Sequence, residues 1–209
     1  LVTPHPWLEA FVDQCHHSLY LLPGGHEARQ LLDQRGVSLD RITEYRVGWC
    51  PDPWGVTSCT PEFHEWLKRW GWNSLVFPLT DPFGAVIGLE LRSLHTKSYT
   101  DFVAQPKELC PPAFGLHTAL PLAFTSRRVI VTEGIFDFFA VRQHTPEVIA
   151  VLTSNVSRGL KQLLARYVDT VVCLFDMDKP GRRGCYRLAG LEVPVQYRND
   201  KDIGGRPPT

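Results

Sequence analysis

Apolar positions follow two rhythms along this chain. Through about residue 75 they recur every three or four residues, the spacing of one face of a helix. Trp7, Leu8, Phe11, Val12, Cys15 and Leu19 form a stripe that stops near Pro23-Gly24-Gly25. Ala28, Leu31 and Leu32 predict a second helix ending at Gly36, and Ser38 is placed to cap a short third one. Thr60-Pro61-Glu62 combines a cap, a proline at the first helical position and an acid at the positive end of the dipole. The helix it opens carries Phe63, Trp66, Leu67 and Trp70 and ends at Gly71. Its spacing predicts Trp66 and Trp70 in the core. Trp49 and Trp54 sit in a turn-rich stretch and are open to either fate, and His16-His17 is expected on a helix surface.

The rhythm then changes. Residues 74–80 and 85–91 are apolar runs around Asp81-Pro82-Phe83-Gly84 and predict a hairpin. Residues 93–126, rich in Pro, His and Ser, are expected to be a long irregular surface connection. From Arg127 onward, strand runs at 129–132, 147–152, 170–175 and 193–197 alternate with helical runs at 136–143, 158–167 and 181–188. Such alternation builds a parallel sheet flanked by helices. The expected fold class is therefore α/β: an N-terminal mixed α+β subdomain over 1–126, then a domain with a parallel sheet over 127–209.

Ligands of parallel sheets bind outside the carboxyl ends of the strands. Three acidic groups fall at such ends: Glu133, the pair Asp176 and Asp178, and Asp200 with Asp202. Asp176 and Asp178 are spaced to share one face where the buried run 170–175 stops. Adjacent carboxylates repel unless a cation neutralises them, and a hard divalent ion, Mg²⁺ or Mn²⁺, suits an all-oxygen set. Glu133 or Asp202 alone is as readily a solvated turn residue; the set together is not. Pro180-Gly181 forces a turn, after which Arg182, Arg183 and Arg187 follow on the predicted helix, serving either phosphates or a solvated face. Asp137, one turn after Glu133, supports the site or simply charges a helix start.

Composition adds bounds. The chain has 209 residues, 44% hydrophobic and 21% charged, enough for one large or two small globular domains. Its net charge of zero conceals a gradient: residues 1–60 hold seven acids against four Lys/Arg, and residues 158–209 hold ten Lys/Arg against six acids. The C-terminal third is the expected polyanion face. No apolar run has membrane-spanning length and no basic-then-apolar leader is present, so a cytoplasmic protein without membrane contact is expected. The six cysteines, at 15, 50, 59, 110, 173 and 185, contain no Cys-x-x-Cys and are expected to be reduced. Cys50, Cys59 and His64 have no defensible metal spacing. Leu1 in place of methionine suggests a piece of a longer protein.

Val129-Ile-Val-Thr-Glu133-Gly134-Ile-Phe-Asp137, followed by Phe175-Asp176-Met-Asp178-Lys-Pro-Gly181-Arg182, resembles the TOPRIM module of bacterial and phage DnaG-type primases. The upstream blocks agree in order. Gln34-Arg35-Gly36-Val37, Tyr45 to Pro51, Val76 to Gly84 with Val86-Ile87-Gly88 and Arg92, and Phe114-Gly115-Leu116 resemble the opening blocks of the primase core. The resemblance implies that Glu133, Asp176, Asp178 and Asp202 bind metal. It makes Glu133, Asp176 and Asp178 catalytic, with Glu133 either a ligand or a general base. Arg92, Lys97, Lys179, Arg182 and Arg183 would contact template or nucleotide phosphates. The chain departs from the family pattern in three places. Gly204 stands where a further acid is common, Cys110-Pro111-Pro112 replaces a basic residue, and Thr153 replaces a glycine.

The implied activity is primer synthesis: a DNA-directed RNA polymerase of primase type that joins ribonucleoside triphosphates on a single-stranded DNA template. No zinc-ribbon spacing and no Gly-rich phosphate loop occur, so a zinc-binding module and a replicative helicase are expected as partners outside this chain. The setting is a bacterial cell, nucleoid-associated, and compact size leans toward a phage or other mobile element. Two other classes remain open: a TOPRIM metal-dependent nuclease and a non-catalytic nucleic-acid-binding TOPRIM module. A topoisomerase needs a separate tyrosine-bearing cleavage domain that this length hardly accommodates.

Overall fold

Helix α1 (Pro6–Leu21) begins on a proline and buries Leu8, Phe11, Val12, Cys15 and Leu19, the stripe visible in the sequence. The computed structural model describes residues 5–53, 59–96, 98–104, 113–152, 156–176, 179–189 and 195–197. These divide into two units, the first holding residues up to Leu79 and Ala85–Ala104, the second Thr80–Gly84 and the rest.

In the first unit, α1 is followed by α2 (Gly25–Gln34) and α3 (Leu39–Glu44), the latter capped by Ser38, whose hydroxyl accepts from the Arg41 amide at 3.4 Å. Helix α4 (Pro61–Trp70) is capped by Thr60, which accepts from the Phe63 amide at 3.3 Å. Strands β1 (Gly48–Cys50), β2 (Ser74–Thr80), β3 (Val86–Ser93) and β4 (Tyr99–Val103) form a sheet in the order β1-β2-β3-β4. β1 runs antiparallel to β2 with Gly48 opposite Val76, and β3 antiparallel to β4 with Gly88 opposite Val103. Helix α1 lies directly on β1, and a Cβ at Gly48 would stand 2.7 Å from the Cys15 backbone, so only glycine admits that approach. Arg46 ties this layer together, donating to Glu9 and to Asp13 at 2.7 Å each.

The second unit contains α5 (Leu116–Ser126), β5 (Arg128–Thr132), α6 (Ile135–Arg142), β6 (Val148–Ala150), α7 (Arg158–Tyr167), β7 (Thr170–Leu174), α8 (Lys179–Ala189) and β8 (Val195–Tyr197). Its sheet is parallel, in the order β6-β5-β7-β8. The core joins Val129 and Val131 of β5, Val171 and Cys173 of β7, Leu160 and Leu164 of α7, and Ala119 and Ala123 of α5. The turn after β2 belongs here: Thr80 bridges Ala113, Phe114 bridges Ala150, and the Thr80 hydroxyl meets His117 Nδ1 at 2.7 Å.

Two expectations are corrected. The stretch 93–126 is not an irregular connection throughout, because it supplies β4 and α5. β4 is an edge strand with no fully buried residue, so its hydrophobic signal is weak. α5 carries Pro121 in its interior and buries only Leu116, Ala119 and Ala123. Trp70 is the second correction: it falls at the very end of α4 and is 39% exposed, whereas Trp66 does pack against the core. Of the open cases, Trp49 is buried and donates from its indole to Asn73 at 2.7 Å, and Trp54 lies outside the described residues. His16 is not purely a surface residue, since its Nδ1 meets the Val47 carbonyl at 2.8 Å. The described cysteines, 15, 50, 59, 173 and 185, are all free thiols; Cys110 lies outside the described residues.

Candidate metal and nucleotide site

The second unit's site begins with two neighbouring parallel strands. β5 and β7 pair from Arg128 opposite Thr170 to Thr132 opposite Leu174. Glu133 leaves the sheet one residue beyond Thr132, and Asp176 two beyond Leu174, so both acids emerge at the same carboxyl edge. Backbone bonds hold this edge. The Val151 amide donates to the Thr132 carbonyl at 3.1 Å and the Leu152 amide to the Glu133 carbonyl at 2.9 Å. The fully buried Thr132 hydroxyl lies within donating reach of the Gly134 and Ile149 carbonyls, at 3.2 and 3.3 Å. Glu133 is half-buried with Oε2 shielded from solvent, and Asp176 is exposed.

The turn beyond each strand is equally specific. Gly134 starts α6, and a Cβ there would lie 3.0 Å from the Asp137 carboxylate, so Asp137 folds back over the Glu133-Gly134 turn. A Cβ at Gly181 would fall 2.1 Å from the Asp176 carbonyl oxygen. The first turn of α8 therefore rests on the Asp176 backbone, and glycine is what permits it. Arg182 and Arg183 are exposed on that helix. Lys179 begins it, and Lys97, Asp178, Asp200 and Asp202 lie outside the described residues. Among the described residues no group of three or more His, Cys, Asp or Glu is assembled. The two described carboxylates suit a hard cation: both are oxygen donors, one partly desolvated and one open to water, on adjacent strands.

Two features of this edge had no sequence signal. Leu152 adopts φ +63°, a left-handed conformation that costs a branched residue about 1–2 kcal/mol, at the position whose amide holds Glu133. Cys173 of β7 and Cys185 of α8 meet in the core; the hydrogen bond with Cys185 and burial push the Cys173 thiol up, keeping it protonated.

The first unit holds Arg92, which the resemblance assigns to phosphates. It is only 3% exposed. Its Nε donates to the Tyr99 hydroxyl at 2.9 Å, and its guanidinium lies 5.7 Å from that ring's centroid. Tyr99 faces it across the β3–β4 ladder. Two residues back on the same face of β3, Glu90 is 4% exposed and stands opposite Asp101. Burial first, and the Asp101 charge second, push the Glu90 carboxyl up to about 8. The Leu-Glu-Leu-Arg alternation of 89–92 held a hint of this polar face inside the sheet, which the hydrophobic pattern outweighed.

Comparison with known proteins fits this arrangement. A Toprim-like family model matches residues 130–201. The DNA primase of Salmonella typhimurium is 26% identical over 213 residues, covering 85% of this chain and 34% of that protein. The chain thus spans about a third of the length of the curated relatives it matches. Among solved structures, the Escherichia coli primase catalytic core superposes with a TM-score of 0.76 at 23% identity, covering 94% of this chain and 72% of that one. A DnaG primase catalytic domain bound to single-stranded DNA gives 0.74 at 23% identity, covering 92% and 69%. The chain has the fold of the DnaG catalytic core, and the expected α/β class with a TOPRIM-type domain holds.

Proposed function

We propose that this chain is the RNA-polymerase core of a DNA primase, with residues 127–209 as its catalytic domain. The observation that carries the reading is the emergence of Glu133 and Asp176 at one edge of neighbouring parallel strands, inside the Toprim-like segment. Glu133, Asp176, Asp178 and Asp202 are the residues that would hold Mg²⁺ or Mn²⁺. Once bound, the ion would neutralise the triphosphate and lower the charge cost of attack at the α-phosphorus.

The chain's own groups do the rest. Glu133, half-buried and steadied through its backbone, is suited to ligate the metal or to draw a proton from the primer 3′-hydroxyl. Arg182 and Arg183, exposed on α8, would meet phosphates beside helix-start amides that favour anions, and Lys179 at the start of that helix would add a further cation. Lys97 would serve the template or nucleotide phosphates in the first unit, whereas Arg92, 3% exposed and donating to Tyr99, is placed to hold the β3–β4 ladder. Holding the hydroxyl and the triphosphate together converts an encounter into an oriented reaction. Single-stranded DNA and ribonucleoside triphosphates are the proposed substrates. A replicative helicase and a zinc-binding module outside this chain are the proposed partners. The proposed setting is the cytoplasm of a bacterial cell, at the nucleoid. Among the described residues, no helix is long and apolar enough to cross a membrane.

The test is incubation with ribonucleotides, Mg²⁺ or Mn²⁺ and single-stranded DNA. Short RNA products that disappear in Asp176→Ala support the primase. Cleavage of the strand without added nucleotides identifies a nuclease instead, and salt-sensitive binding with neither activity identifies a binding module.

A further inference from the structure

Tryptophan is costly to leave in water, and the described residues leave two exposed almost side by side. Trp70 is 39% exposed and Trp72 is 48% exposed, whereas Trp7, Trp49 and Trp66 are packed into the first unit. Neither exposed ring is on a loose segment. The Gly71 amide closes α4 by donating to the Leu67 carbonyl at 2.6 Å. The Trp72 indole N–H donates back to the Lys68 carbonyl at 3.0 Å. The fully buried Ser74 hydroxyl sits within reach of the carbonyls of both Trp70 and Trp72, at 3.1 and 3.0 Å. Asn73, at φ +42°, is clamped between the Trp49 indole at 2.7 Å and His95 Nε2 at 2.8 Å. Two aromatic faces are thus preorganised, which removes much of the ordering cost of binding.

The surroundings indicate what would cover them. The Arg69 guanidinium lies 4.9 Å from the Trp70 ring centroid, and Lys68, ion-paired with Glu65 at 2.9 Å, Asn73 and exposed His95 complete the neighbourhood. Among the described residues, this unit's other exposed large apolar side chains, Tyr20, Leu21, Leu22, Leu39 and Tyr99, belong to other elements, while half-buried Leu94 donates its amide to the Asn73 carbonyl at 3.1 Å. A protein-docking patch gathers aliphatic and aromatic side chains and sheds charge from its centre. Aromatic faces edged by a cation suit unpaired bases joined by phosphates.

We propose that Trp70 and Trp72, with Arg69 beside them, form a stacking platform for single-stranded nucleic acid on the first unit. The platform rests on the primase reading only for the identity of its partner. Its geometry stands alone.

Binding is measured with a labelled, unstructured oligothymidylate, without nucleotides or divalent metal, followed by anisotropy and by tryptophan emission. The Trp70→Ala/Trp72→Ala variant should bind at least about tenfold more weakly, Trp70→Phe/Trp72→Phe should keep most of the affinity, and Leu39→Ala, at an exposed apolar residue of another helix, should bind as the unaltered protein does. Arg69→Gln should lower the salt dependence by about one phosphate contact. Each ring is more than half covered and Trp72 donates to the Lys68 carbonyl, so the double-alanine variant should melt lower than the parent while remaining folded at the binding temperature, and the phenylalanine pair is the packed control. Unchanged affinity in the double-alanine variant overturns the platform, as does failure of the unaltered protein to bind. A change of oligomeric state in that variant, showing the rings to be an interface between copies, overturns it too. Asp176-dependent primer synthesis with unchanged affinity in the double variant sinks the platform alone. Loss of affinity in a protein that never makes primers sinks the primase reading alone.

Discussion

Each unit contains acids on adjacent strands, and they are used in opposite ways. Glu90 and Asp101 face each other mid-strand across an antiparallel ladder, and Glu90 is enclosed on all sides. Glu133 and Asp176 leave parallel strands just beyond their last paired residues, where Asp176 is exposed and Glu133 half-buried. In the middle of a sheet, the repulsion between two carboxyls is relieved by keeping a proton. Beyond a strand end it can be relieved by a cation. Place along the strand, more than residue type, separates a titrating pair from the pair proposed to bind metal.

The comparison breaks most sharply at Asp176. Asp176→Ala should lower primer synthesis by a hundredfold or more, on the order of the loss when a group stabilising transition-state charge is removed. The same substitution should abolish any rise in melting temperature that Mg²⁺ confers on the parent, since only a ligand bound to the folded state stabilises it. Glu90→Gln should leave that metal response intact. Equal responses in the two variants would erase the distinction.

Next in size is Gly181→Ala. A methyl group 2.1 Å from the Asp176 carbonyl oxygen forces the start of α8 to move. A loss of about 1–3 kcal/mol in denaturant unfolding is expected, with synthesis falling further than stability because Asp176 moves too.

Tyr99→Phe tests the enclosed side. It removes the acceptor for Arg92 Nε inside the sheet, and unfolding should become easier by about 1–3 kcal/mol. A silent substitution would mean that the Arg92 side chain is held by other bonds.

Glu90 gives a pH signature of its own. Its folded value of about 8 lies above the ordinary unfolded value near 4.3, so the folded protein keeps a proton that the unfolded chain releases. Stability should therefore be greatest below about pH 4.5 as far as this group is concerned, decline as pH rises toward 8, and level off above it. Glu90→Gln should flatten that decline and leave the variant more stable than the parent at pH 9, by roughly 1–3 kcal/mol. Melting curves from pH 5 to 9 check this, and parallel slopes in parent and variant would show that Glu90 ionises freely.

The strand order β6-β5-β7-β8 is set by tertiary packing, whereas the sequence by itself determined the helix caps at Ser38 and Thr60, the two apolar rhythms, the parallel character of the second sheet and the strand-end position of Glu133 and Asp176. Those features come from local chemistry: a hydroxyl three residues before an amide, a run of apolar residues, a carboxylate after it. Tertiary structure alone decided the rest. β4 takes its shape from pairing with β3, and α5 persists around Pro121 because its small residues pack on the sheet. Trp70 shows the limit most plainly: its spacing from Phe63 and Leu67 marks a core position, but it is the last residue of α4 and stays 39% exposed. Arg92 is the reverse case, a charge drawn inside by a tyrosine seven residues away in sequence and directly opposite in space. Burial depends on what a second element places over a residue, and spacing along one element carries no information about that.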